Sequence, residues 1–146
     1  MTAKRDYQRS RVYAWENRMV APRDPSFILF PEVQGMVNAI WADMGLRYPP
    51  KVEPLPKQAR KTIATANRLS IFLGERTPSW CLLHELAHAM TSTIDGISDG
   101  HSEQFIGIYV KLLVKFLRLD SVELARSLME NSISMDAQAR PLFLES

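Results

Sequence analysis

The chain is 146 residues long, enough for one domain that can bury about two-thirds of its unfolded surface without a covalent staple. Hydrophobic residues make up 46% and charged residues 23%, ordinary proportions that exclude a disordered, collagen-like or coiled-coil chain. Lys and Arg number 18 against 16 Asp and Glu, so a net charge of +2 gives no overall pull toward nucleic acid or an anionic membrane.

In chain order, residues 4–20 begin basic and carry Val12-Tyr-Ala-Trp15. Their β-branched and aromatic content predicts an edge strand, although Tyr7, Arg11, Trp15 and Met19 would share a helix face. The first ten residues are charged and lack an apolar signal core, and the basic Lys4, Arg5, Arg9 and Arg11 read as a solvated segment. Ala21–Pro25 holds two prolines and reads as a loop. Phe30–Leu46 predicts a helix, with Pro31 in its first turn, an apolar stripe of Val33, Met36, Val37, Ile40, Trp41 and Met44, and Gly45 as its stop.

The proline-rich Tyr48–Pro56 allows only an edge or irregular strand. Thr62–Ala66 and Leu69–Leu73 flank Asn67-Arg68 and predict a hairpin with a two-residue turn. Gly74–Pro78 reads as a break, with Thr77 or Ser79 able to cap a helix from Ser79 to Thr91. Leu83, Leu86, Ala87 and Met90 line one side of that helix. A loop to Gly100 precedes a long helix from about Ser102 to Leu119. Asp120-Ser-Val-Glu123 matches a capping box for a last helix ending near Asn131. The layout is α+β, a single domain over residues 1–146, with its core over about 30–131 and a peripheral tail over 132–146. Phe105–Leu119 is too short and too charged to span a bilayer, and the single cysteine, Cys81, requires no oxidising compartment. The expected location is therefore the cytoplasm.

The three histidines, His84, His88 and His101, all fall within 18 consecutive residues, whereas filler residues would be scattered. Residues 84–88 read His-Glu-Leu-Ala-His. On a helix, positions i and i+4 share a face, so two imidazoles can point at one ion. Glu85, about 100° around the helix, can instead reach a water beside that ion and act as general base. With this composition the pattern would arise by chance on the order of a few times in 1000. A helix with two half-buried histidines is the bland alternative. A catalytic zinc site usually takes three protein ligands, and His101 is the expected third, facing inward with Phe105 at the start of the next helix. Asp95, Asp99, Glu103 and Glu123 are the competitors. Cys81 shares the ligand face at i, i+3, i+7, but a buried cysteine more often serves as core, and a fourth protein ligand would close the site. Tyr109, Tyr13, Tyr48 and Arg76 are candidates to polarise a substrate carbonyl, Tyr109 the best placed as a transition-state stabiliser.

The segments Leu82–His88 and Gly100–Phe105 resemble the two halves of the site in minimal zincin metallopeptidases of the SprT-like and WLM-like kinds. Residues 30–119 follow the order of those families. The chain is also similar to short metallohydrolases known mainly as predictions from actinobacteria and their phages, through Arg9-Ser-Arg-Val-Tyr13 and Arg76-Thr-Pro-Ser-Trp80. A metzincin would place Gly and His where Thr91 and Ile94 stand, which excludes that class. The resemblance implies a zincin-like fold: a small, mostly antiparallel sheet against helices, the motif helix, and a third His on the helix that follows. It implies a Zn²⁺-dependent hydrolase, in first place a peptidase acting on a protein or peptide, with His84, His88 and His101 as ligands and Glu85 as base. No nucleic-acid partner is expected. The substrate is expected to add along Leu69–Leu73 by β-augmentation. The alternative is a non-catalytic metal-containing binding or inhibitor protein, such as a phage factor acting on a host protein.

Overall fold

In a computed structural model, the chain is described over residues 6–56, 64–93, 95, 97 and 100–142. Thr62 and Ile63 of the expected hairpin, Lys4 and Arg5 of the basic cluster, and Gly96 and Asp99 of the loop lie outside the described residues.

The N-terminal segment is helical, not an edge strand. Helix α1 spans Arg9–Trp15, continues as a π-helical turn over Glu16–Val20, and ends in a 3-10 turn over Ala21–Arg23. Val12, Trp15, Glu16 and Val20 are buried while Tyr7 and Arg11 are exposed. Burial at i, i+3, i+4 and i+8 is a helical period, and it outweighs the β-propensity of Val12 and Tyr13. The Trp15 indole donates to the Ser127 hydroxyl at 2.8 Å, which ties this helix to the far end of the chain.

Strand β1 (Phe27–Leu29) leads into α2 (Phe30–Asp43), whose buried residues Val33, Val37, Ile40 and Trp41 are the expected stripe without the exposed Met36 and without Met44, which is half-buried just beyond the helix end. Gly45, at φ 77°, takes the left-handed conformation just beyond the helix end. The proline-rich crossing provides the edge strand β2 (Lys51–Pro54), parallel to β4 (Ser70–Leu73). Strand β3 (Ala64–Ala66) pairs antiparallel on the other side of β4, giving the order β2-β4-β3. This small sheet is therefore mixed. The hairpin turn falls one residue later than expected, at Arg68-Leu69. The Asn67 side chain accepts from both Leu69 N and Ser70 N at 2.9 Å, making an Asx turn that starts before the reversal.

Gly74–Pro78 is more than a break. Residues Arg76–Pro78 form β5, antiparallel to β1, in a separate two-stranded ribbon. Strand β5 runs straight into α3 (Ser79–Thr91). Neither Thr77 nor Ser79 caps that helix. Asp24 does, by accepting from Trp80 N at 3.1 Å. Helix α4 (Glu103–Leu117) is capped by Ser102, whose hydroxyl accepts from Phe105 N, and α5 (Ser121–Glu130) by Asp120, which accepts from Val122 N and Glu123 N. Glu123 does not complete a capping box; its carboxylate pairs with Arg23.

Helices α3 and α4 pack against each other, and Leu86, Met90, Phe105, Ile106, Tyr109 and Leu112 fill the space around them. The core exceeds the expected limits at both ends. Val12, Trp15, Val20, Ile133 and Ala139 are buried parts of it. The tail is thus not peripheral: Asp136 N donates to Glu103 O, Leu142 N donates to Met90 O, and Lys111 Nζ donates to Ala139 O. Among the described residues, no helix is long and apolar enough to cross a membrane.

Candidate metal centre

Helix α3 presents His84 and His88 one turn apart, and the turn entering α4 brings His101 beside them. His84 Nε2 stands 3.1 Å from His88 Nε2 and 3.4 Å from His101 Nε2. Three nitrogens bound to one tetrahedral ion at about 2.0–2.1 Å would be separated by about 3.3–3.4 Å. The two separations from His84 lie near that value and all three donor nitrogens fall within 4.8 Å of one another, so the three imidazoles stand close enough to hold a metal ion. Only these three residues form a candidate ligand group among those described. Asp95 and Glu103 are exposed, and Glu123 is engaged with Arg23, so none of these competitors joins the cluster.

Two of the rings have their outward nitrogens held by carboxylates. His84 Nδ1 donates to Glu16 Oε2 at 2.6 Å, and His101 Nδ1 donates to Asp6 Oδ2 at 2.7 Å. A ring whose Nδ1 carries the proton offers a bare lone pair at Nε2, the form a metal binds. Burial, aided by the other two rings, lowers the His88 pKa well below the usual histidine value. Burial also lowers that of His101, against the opposing Asp6 hydrogen bond. For His88 and His101 the neutral form that ligation requires is thus the favoured one. His88 lies flat against Phe105, with ring centroids 4.3 Å apart, and its buried Nδ1 has no hydrogen-bond partner among the described residues.

Glu85 is buried, about 100° around α3 from His84. Burial raises its carboxyl to about 7, with His84 opposing the rise and Glu16 adding to it. Cys81 shares the ring-bearing side of α3 but stands outside the ligand group. Burial first, then the charges of Glu85 and Glu16, push its thiol up to about 12, which disfavours the thiolate a metal would need.

Tyr109 lies behind the rings. Its hydroxyl is fully buried and donates to Glu16 Oε2 at 2.6 Å, the same oxygen that accepts from His84. Its hydroxyl is thus committed to orienting Glu16, not turned toward a substrate. Of the other carbonyl-polarising candidates, Tyr48 is 78% exposed, and Arg76 covers the Phe27 ring. Tyr13 is the one at the centre: 42% exposed, it lies parallel to the His84 ring at 6.0 Å and edge-on to His101 at 5.2 Å.

Sequence reasoning did not anticipate Glu16 and Asp6. Glu16 carried one signal, an acid inside the apolar series Val12, Trp15 and Val20, but that signal is visible only once the segment is read as a helix. The expected substrate strand also fails. Strand β4 is paired on both sides, so its backbone groups are already used and it offers no edge to add to. An apolar cavity of about 430 Å³, walled by Ile28, Met36, Ile40, Leu82, Leu83 and Phe116, does not meet the histidines either. Leu82 and Leu83 leave α3 on the side opposite His84 and His88.

Comparison with protein-family models, with curated proteins and with solved structures finds no match to this chain.

Proposed function

We propose that this chain is a zinc-dependent metallohydrolase that cleaves peptide bonds, built on a zincin-like plan. The observation that carries this reading is the meeting of three Nε2 atoms, with two rings locked by carboxylates into the ligating tautomer. A structural site gains nothing from Glu85, whereas hydrolysis needs a base at that position relative to the two rings.

His84, His88 and His101 would hold Zn²⁺, which when bound supplies Lewis acidity that acidifies water and polarises a carbonyl. Glu85 accepts the proton of the attacking water and returns it to the leaving nitrogen, so no proton is left over when the amide splits into an acid and an amine. Glu16 and Asp6 keep the rings oriented. Tyr13, at the exposed side of the rings, is the tyrosine placed to meet a substrate. The substrate class is a protein or peptide segment.

Glu85→Gln separates catalysis from binding. The variant is expected to keep zinc and its melting temperature near wild type while hydrolysis of a peptide library falls at least about 100-fold, the scale of losing a general base. Retained hydrolysis in Glu85→Gln would overturn the assignment of the base. A wild type that binds zinc but cleaves neither peptides nor other amides would favour the non-catalytic binding protein instead.

A further inference from the structure

The N-terminal segment touches the metal centre at three levels. Asp6 accepts from the His101 ring, Glu16 accepts from the His84 ring, and the Tyr13 ring lies against both. The Gln8 side chain donates to the backbone carbonyl of His101 at 2.8 Å. The fit is close at Gly100, which has φ 65°. A Cβ there would lie 2.9 Å from Asp6 Oδ2, closer than real Cβ contacts allow. The residue before His101 is thus a glycine where the chain turns left-handed and where the Asp6 carboxylate must come close.

We infer that Asp6 and Glu16 are positioning residues of the metal centre, and that docking of residues 6–16 and loading of the three-histidine site are coupled. The two carboxylates hold two different rings of the histidine set and stand 10 residues apart on one short segment. Each fixes a ring tautomer that the ion needs, so segment and ion favour the same arrangement. Coupling of this kind is reciprocal: whatever affinity the segment adds for the ion, the ion adds to the docking of the segment. The inference rests on the metal-binding half of the proposed function and not on hydrolysis.

The test uses zinc itself, measured by competition with a chromophoric chelator, and hydrogen exchange of residues 6–16. Asp6→Asn and Glu16→Gln preserve size, and Asp6 lies near the surface, so the first variant keeps the test open if the second folds poorly. Zinc affinity is expected to fall about 10–100-fold in each, the usual loss when the group orienting a ligand is removed. The melting temperature of the metal-free Asp6→Asn chain should stay near wild type, which a merely structural contact would not combine with lost affinity. Zinc should slow exchange over residues 6–16 in wild type and less so in the variants. Affinities within about twofold of wild type, or exchange over 6–16 that zinc leaves unchanged, would overturn the coupling alone. A wild type that binds no zinc would overturn the metal centre and the coupling with it.

Discussion

At the scale of single residues, the centre depends on which nitrogen and sulfur atoms are free to bind a cation. The three imidazoles are, and Cys81 is not. With its thiol raised to about 12 by burial and by Glu85 and Glu16, Cys81 is a small apolar filler on the ring-bearing side of α3. A thiol reagent at pH 8 is therefore expected to leave Cys81 unlabelled in the native protein and to react on adding denaturant, and Cys81→Ala should retain zinc. Rapid labelling of the folded chain, or zinc loss in the alanine variant, would make Cys81 a ligand. His84, Glu85 and His88 were legible in the sequence because one helical turn is a local rule, and His101 because histidine is otherwise absent. Glu16 and Asp6 were not, since each meets its ring across 68 and 95 residues of chain, a pairing set by how the N-terminal helix docks. Tyr109 was legible as an inward-facing tyrosine, but its hydroxyl partner depends on the same docking.

At the scale of elements, α3 is the part that must be held in place, because it carries His84, His88 and Glu85. Its first turn is capped from outside by Asp24, which also accepts from Ser26 N. Asp24→Ala should cost about 0.5–2 kcal/mol in chemical denaturation, the range for losing a helix cap, and a change under about 0.3 kcal/mol would show that the cap is idle. Helix α4 is held through Gly107, where an added Cβ would meet Asp136 O at 2.0 Å and Ala139 Cβ at 2.9 Å. Gly107→Ala is expected to destabilise by about 1–3 kcal/mol through overpacking, read from the same denaturation curves. If it instead stabilises, as alanine does in an open helix, the tail does not pack there. Helices α2, α3, α4 and α5 were legible because ten or more residues display a 3.6-residue period. Strands β1 and β5, three residues each, are too short to show a period of two and are defined by each other. Helix α1 was misread because seven residues rich in Val, Tyr and Trp fit either period.

At the scale of the whole molecule, the two ends of the chain close around the centre. Gln8 bonds the backbone of Ser134 as well as that of His101, Arg11 donates to Ser132 O, Arg18 to Asn131, and Trp15 to Ser127. This explains why a core expected over residues 30–131 reaches from Val12 to Ala139. Sequence patterns report on neighbours along an element, and the ends meet only after the elements have packed. The site then takes its histidines from α3 and the turn before α4, with supporting carboxylates from the N-terminal segment.

The most direct check is the zinc content of purified protein, loaded with excess zinc and freed of unbound metal, for wild type and for His101→Ala. We expect one zinc per wild-type chain and less than a tenth of an equivalent, about a tenfold loss or more, in a His101→Ala chain whose circular dichroism remains native. A folded His101→Ala protein that keeps a full equivalent, or a wild type that keeps none, would contradict the three-histidine centre.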